Sequence, residues 1–239
     1  MKAMILAAGL GSRLKPFTDQ HPKALAVVNG KTLLQRNIEY LVAYGVTDII
    51  INVHHFADQV ISFLLENKQF GISVTISDET SEVLETGGGL QKASWFFDAN
   101  RPFILMNVDI LTDMNLQDML KCHLQAKPLA TIAVSQRESS RCFLLNEKMQ
   151  LCGWRNNSTG EEKISRNESP LLPFAFSGIH IIEPTLFSYI QQKGKFSMVD
   201  VYLDLAKTHP ILAYDHTGCA MIDVGKPESI LQAEKLFAE

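Results

Sequence analysis

Apolar runs and helical periods alternate through the first half of the chain. Ala3–Ala8 is continuously apolar and reads as a buried strand. Thr32–Tyr44 carries Leu33, Leu34, Ile38, Leu41 and Val42 at helical spacing, with Gly45 placed as a C-terminal cap. Asp48–Val53 predicts a second apolar strand. Ala57–Asn67 predicts a helix with Val60, Ile61, Leu64 and Leu65 inward, and Ile72–Ser77 an alternating strand. Gly88–Phe97 then reads as a helix and Pro102–Asp109 as another buried strand. Apolar strands separated by helices predict an α/β fold whose parallel sheet is covered on both faces. Ligands of such sheets sit beyond the carboxyl ends of strands, where Gly9–Arg13 and Asn107-Val108-Asp109 both fall.

The second half is less regular. Asn115–Ala126 predicts a helix, Ala130–Ser135 a strand, and Cys142–Trp154 a hairpin turning at Asn146–Lys148. Asn156–Ser169 is polar, contains Gly160, and reads as an exposed loop. Ala175–Ile182 predicts a strand, followed by helices near Pro184–Gln191 and Met198–Thr208. Ala213–Val224 reads as a closing hairpin and Pro227–Phe237 as a final helix. No internal repeat is visible, and no hexapeptide repeat of a β-helix follows. One domain over 1–239 is expected, with two halves meeting near residue 110.

Composition narrows the function. Among 239 residues, 46% are hydrophobic and 20% charged, as in ordinary folded proteins. The net charge of −4 and the lack of a basic arm argue against a nucleic-acid partner. Cys122, Cys142, Cys152 and Cys219 form no C-x-x-C pair, and four scattered thiols suit a reducing compartment. The first apolar run is too short for a signal sequence, and no segment is long enough to span a bilayer. The expectation is a cytoplasmic protein with no membrane partner, monomeric or homodimeric.

Gly9-Leu10-Gly11-Ser12-Arg13 follows the first strand, and Lys23 stands ten residues after Arg13. Exposed amides beside two fixed cations suit a triphosphate, because glycine lets phosphate oxygens approach the backbone and cations offset charge that builds during transfer. The dinucleotide fingerprint fails, with Leu14 where its third glycine belongs, and no Walker A lysine is present. The Gly-x-Gly spacing alone fits an ordinary strand-to-loop turn equally well. Arg13 and Pro22-Lys23 at fixed offsets favour the phosphate reading.

Leu6-Ala-Ala-Gly-Leu-Gly-Ser-Arg13, continuing to Pro22-Lys23-Ala-Leu25, resembles the signature of the sugar-1-phosphate nucleotidyltransferases. It is similar in form to the short bacterial N-acetylmuramate-1-phosphate uridylyltransferases and mannose- or heptose-1-phosphate guanylyltransferases. The resemblance implies a Rossmann-like three-layer mixed, mostly parallel sheet, the nucleotide-diphospho-sugar transferase fold. It also implies Mg²⁺ as cofactor, and a nucleoside triphosphate and a sugar 1-phosphate as substrates, with residues 1–110 as the nucleotide-binding half and 111–239 as the sugar-binding half. Nucleotide contacts are implied at Leu6, Ala8, Gly9, Gly11, Ser12, Arg13 and Lys23, with Arg13 and Lys23 catalytic.

Asp109 closes an apolar strand, and its oxygen donors suit Mg²⁺, although a strand-end aspartate also caps turns. Asp223, in Met221-Ile-Asp-Val-Gly225, is open to the same two readings. The family places its metal on both positions, and the pair at two strand ends would leave coordination sites for phosphate. Val108 stands where glycine is common, and Asn107 is the candidate for the sugar phosphate. Leu84-Glu-Thr-Gly-Gly-Gly-Leu90 is a second glycine-rich segment. Its Thr86, Gly87 and Gly88 are expected to press on the base, while a helix entry capped by Thr86 is the alternative. Its form, Leu-Glu-Thr-Gly-Gly-Gly, resembles that of the muramate uridylyltransferases, so through Glu85 the resemblance implies uridine, hence UTP. Ser177-Gly178 resembles the strand framing the sugar, or is a bulged strand. His54-His55 reads as a loop or core pair rather than a metal site. A phosphocholine cytidylyltransferase and a non-catalytic regulatory module of the same fold are the competing readings.

Overall fold

The computed structural model describes residues 1–238. Its elements begin with β1 (Lys2–Leu6), β2 (Val27–Val28), β3 (Lys31–Thr32), α1 (Leu33–Ala43), β4 (Asp48–Val53), α2 (Ala57–Glu66) and β5 (Ser73–Asp78). Next come α3 (Glu85–Lys92), β6 (Phe103–Asn107), β7 (Ile110–Thr112), α4 (Leu116–Ala126) and β8 (Ala130–Ser135). The chain continues through β9 (Arg141–Leu145), β10 (Leu151–Asn156), β11 (Glu162–Ile164) and β12 (Leu172–Ile182). It ends with α5 (Met198–Leu205), β13 (Ile211–Asp215), β14 (Met221–Asp223) and α6 (Pro227–Leu236).

The main sheet runs β5-β4-β1-β6-β12-β8-β13, and every strand in that row is parallel except β12. The leading residues of β12, Leu172–Phe174, leave this row and pair with β9, which carries β10 and β11 outward in antiparallel order. Side chains of β1 alternate between the two faces. Ala3 and Ile5 pack with Leu34, Ile38 and Leu41 of α1, Val60 and Leu64 of α2, and Met119 of α4. Met4 and Leu6 pack with Leu90 of α3 and with Val201, Tyr202 and Leu205 of α5. Three layers follow from that alternation, and each fully buried aliphatic contributes about 1.5–3 kcal/mol. Leu14, Val28, Leu33, Val224 and Ala233 form a smaller cluster that seats α6 beneath the glycine loop.

The mixed, mostly parallel sheet agrees with the expectation, while several elements differ. Within 156–169 the chain forms β11, whose Glu162–Ile164 pair with Gly153–Arg155. All three β11 residues are exposed; an edge strand wetted on both faces has no apolar alternation to betray it. The closing hairpin does not exist. β13 lies parallel on β8, and β14 pairs with β7, because period-two alternation marks a strand without naming its partner. Pro184–Tyr189 is 3₁₀ rather than α-helical. The glycine-rich helix starts earlier than expected, at Glu85, and ends at Lys92.

His180 of β12 is buried against α5, with Nδ1 2.7 Å from the Tyr202 hydroxyl. Burial pushes its pKa down to about 3, and also lowers those of His123 and His216. His180 is thereby held neutral in the fold, so below an unfolded pKa of about 6.5 the unfolded chain binds more protons and stability falls as pH falls. From pH 6.5 to 5 this histidine removes about 1–2 kcal/mol. His180→Gln is therefore expected to flatten the decline of urea midpoint between pH 7 and 5. An unchanged slope in equilibrium unfolding would show that His180 titrates normally in the fold.

Candidate active site

The sheet register sets the site. Leu6 of β1 lies beside Asn107 of β6, so both strands discharge their following loops at one end of the sheet. Gly11 has φ +62°, and a Cβ there would come within 2.8 Å of Thr18 Cγ2 and 3.0 Å of Lys23 Cβ. Only glycine meets both the left-handed backbone and the close approach of the Lys23 stem. The Thr18 hydroxyl donates to the Gly11 carbonyl at 2.9 Å and fixes the loop. A cavity of about 410 Å³ opens here, lined along one wall by Leu6, Ala8, Gly9, Gly11, Ser12 and Arg13. Lys23, Asn107, Asp109, Thr86 and Gly225 line other parts of it.

Two cations and two carboxylates converge at its mouth. Lys23, only 9% exposed, pairs with Asp109 and has its Nζ 4.0 Å from Asp223 Oδ1. Arg13 Nη2 is 4.0 Å from Asp223 Oδ2. Asp223 arrives on β14, whose pairing sets it opposite Ile110, and the Val224 N–H donates to the Asp109 carbonyl at 2.8 Å. A Cβ on Gly225 would lie 2.9 Å from Asp223 Oδ1 and 3.0 Å from Arg13 Nη2, so the missing side chain lets backbone pass beneath this pair. Burial, and then the charge of Asp109, push the Asp223 carboxyl above the usual carboxylate range; Lys23 and Arg13 pull the other way. With 43% of its side chain exposed, Asp223 faces the opening.

Other expected residues take different places. Thr86 lines the cavity, but its hydroxyl accepts the Met198 N–H at 2.9 Å and does not cap α3, which begins before it. Gly87 and Gly88 are buried inside α3 and do not line the cavity. Both their N–H groups donate to the Phe196 carbonyl, at 2.9 and 3.2 Å, and a Cβ would strike the Phe196 ring at Gly87 or the Gly194 carbonyl at Gly88. Their lack of side chains serves helix packing rather than a base. Ser177 is likewise turned inward by the β12 bulge and bonded to His216 Nε2 at 2.7 Å. Gly178, at φ +70°, lies behind Asn107, where a Cβ would be 3.0 Å from Asn107 Nδ2. Gly178 thus leaves room for Asn107, whose buried Oδ1 has no partner. His54 contacts the Glu79 carbonyl at 2.6 Å and His55 packs on Phe56, so neither gathers ligands. The four cysteines are free, and among the described residues no helix is long and apolar enough to cross a membrane.

Sequence reasoning missed Asn52 and Glu79, which line the far end of the cavity. Asn52 Oδ1 accepts the Ala7 N–H at 2.7 Å, and its Nδ2 donates to Glu79 Oε1 at 2.8 Å. Glu79 is 1% exposed, its Oε2 has no partner, and burial pushes its carboxyl up. The available signal was Asn52 itself, the only polar residue at the end of the apolar run Ile49–Val53.

The chain is 30% identical to the N-acetylmuramate alpha-1-phosphate uridylyltransferase of Caulobacter vibrioides, over 99% of this chain and 97% of that one. It is 28% identical to the mannose-1-phosphate guanyltransferase of Yarrowia lipolytica, over 99% of this chain but only 64% of that protein's length. Among solved structures, HddC from Yersinia pseudotuberculosis complexed with GMP-PN superposes with a TM-score of 0.79, at 25% identity and 99% coverage of both chains. The profile of the nucleotidyl transferase family matches residues 2–239, and the chain belongs to that family.

Proposed function

We propose that this protein transfers a nucleotidyl group from a nucleoside triphosphate to a sugar 1-phosphate, with UTP and N-acetylmuramate 1-phosphate as the preferred pair. The observation that carries the reaction class is the convergence of Arg13, Lys23, Asp109 and Asp223 where the glycine loop meets the cavity. The full-length similarity to the Caulobacter uridylyltransferase supports the substrate pair.

A phosphate oxygen of the sugar 1-phosphate attacks the α-phosphorus in line. One P–O bond forms as the bond to the β-phosphate breaks, and pyrophosphate departs. An ionised phosphate needs no general base, so the chain contributes position and charge. Arg13, at the exposed lip, holds the β- and γ-phosphates. Lys23, almost enclosed, steadies the α-phosphate.

Mg²⁺ fits the donor set. Asp109 and Asp223 bring hard oxygens together, the charge of Asp109 raises the cost of ionising Asp223, and a cation relieves that conflict. Among the described residues no third histidine, cysteine or carboxylate joins them, which suits an ion shared with phosphates and water. When bound, Mg²⁺ supplies positive charge against phosphate oxygens.

Glu79 bears on the base. Asn52 occupies Oε1, leaving Oε2 as an acceptor within the cavity. Uracil and guanine present a ring N–H to such an acceptor, whereas cytosine and adenine present a lone pair. The same feature keeps GTP with a mannose or heptose 1-phosphate as the second reading, alongside the GMP-PN-bound HddC similarity.

Pyrophosphate release across four nucleoside triphosphates and a panel of sugar 1-phosphates tests the proposal. Turnover is expected with UTP and N-acetylmuramate 1-phosphate and should stop on chelation of Mg²⁺; preference for GTP with mannose 1-phosphate would select the second reading. Arg13→Ala should lower kcat/KM by about 10²–10³, and an unchanged value would remove Arg13 from the mechanism. In Glu79→Gln, Asn52 holds the amide oxygen and turns the amide NH₂ toward the base. The CTP-to-UTP ratio of kcat/KM is then expected to rise about tenfold or more, and a constant ratio would place the base elsewhere.

A further inference from the structure

A second cavity, of about 570 Å³, lies beyond Asp223 and shares Arg13 with the nucleotide cavity. It forms where β12 leaves the main row to pair with β9, and where the β9–β10 register sets Trp154 opposite Phe143. Phe143 and Phe176 meet edge to face at 5.4 Å. Together with Trp154 they give the cavity an aromatic wall.

Its rim carries an unbalanced charge. Arg13, Arg137 and Arg141 line the cavity against a single carboxylate, Asp223. Arg13 is engaged by Asp223 and by the triphosphate in the reaction above, so Arg137 and Arg141 are surplus to it. Neither forms an ion pair among the described residues. Arg137 Nη2 donates to the Phe176 carbonyl at 2.9 Å, which anchors the guanidinium against the wall and leaves its other donors unclaimed. Glu138 lines a neighbouring depression with Arg137, not this cavity.

A neutral hexose would offer these two guanidiniums only hydroxyls. A guanidinium fork matches a carboxylate in two parallel hydrogen bonds, while an aromatic wall takes the C–H face and small alkyl substituents of a sugar ring. We propose that Arg137 and Arg141 form a carboxylate subsite, so that the acceptor is a sugar 1-phosphate bearing an acid group. This rests on the sugar 1-phosphate transfer proposed above and deepens it. N-acetylmuramate 1-phosphate meets the requirement through its lactyl ether, and N-acetylglucosamine 1-phosphate is the same sugar without that acid.

The test compares those two sugars on the wild-type protein and on the Arg137→Gln, Arg141→Gln and doubly substituted variants. It uses steady-state turnover at saturating nucleotide together with calorimetric binding. The wild type is expected to favour the acidic sugar. The double variant should lose about 10- to 100-fold in kcat/KM on it, carried by KM, with the neutral sugar and the nucleotide KM changed far less. Equal losses on both sugars would overturn the subsite, since the arginines would then serve the phosphate or the fold. Wild-type preference for the neutral sugar would overturn the subsite and the N-acetylmuramate reading together, leaving nucleotidyl transfer intact. If neither sugar turns over, transfer to these acceptors fails and binding decides the subsite alone. Tighter binding of the acidic sugar, lost in the double variant, upholds it, and equal binding overturns it.

Discussion

The hydrogen bond from the Val224 N–H to the Asp109 carbonyl joins the two carboxylate-bearing strand ends. Asp109 follows β6, in the body of the sheet, while Asp223 ends β14, which reaches the site only by pairing with β7. Without that short ribbon, Asp223 and Gly225 would have no reason to lie beneath Arg13. The bond thus forces like charges together, and the rest of the site answers that conflict. Lys23 lies against Asp109, and Arg13 and Lys23 both stand 4.0 Å from Asp223. An enclosed lysine without its carboxylate would be strongly unfavourable, so neither half of this arrangement can be understood without the other.

Charge also divides the site by exposure. Lys23 is nearly covered, whereas 61% of the Arg13 side chain is exposed. A covered ammonium acts in a lower effective dielectric than an exposed guanidinium. In the proposed reaction, the reacting phosphate would lie near Lys23 and the departing phosphates near Arg13, where water can receive them. The proposed acceptor subsite lies on the other side of Asp223, where the sheet splits along β12.

Much of this was legible in the sequence, for physical reasons. β1, β4 and β6 are apolar on both faces, and the glycine loop and Asp109 follow them directly, so reading the strands located two walls of one cavity. Partnership was less legible than position. The alternation near Met221 marked a strand but not its pairing with β7, and exposed β11 had no pattern at all. Ser177 and Gly178 were read by resemblance as framing the sugar, with a bulged strand as the alternative; the strand is bulged, with Ser177 bonded to His216 and Gly178 behind Asn107. Arg137 and Arg141 carried no signal in the sequence, since only the split of the sheet gathers them into one cavity.

The glycines of α3 show how a correct motif can carry the wrong cause. Three consecutive glycines in a helix cost roughly 0.5–1 kcal/mol each relative to alanine, so their presence needs a compensating contact. Gly87 and Gly88 admit the Phe196 ring and the Gly194 carbonyl, which brings the start of α5 close enough for Met198 to donate to Thr86. Gly89 acts on the cavity from behind. A Cβ there would lie 2.6 Å from Glu79 Oε1 and 2.9 Å from Asn52 Nδ2, so any side chain would displace the pair that leaves Glu79 Oε2 free. If Glu79 meets the base as proposed, the motif bears on it through the room it leaves for a buried carboxyl rather than through its own backbone. Selectivity for a ring N–H would then depend on a helix that need not touch the nucleotide with any of its glycines.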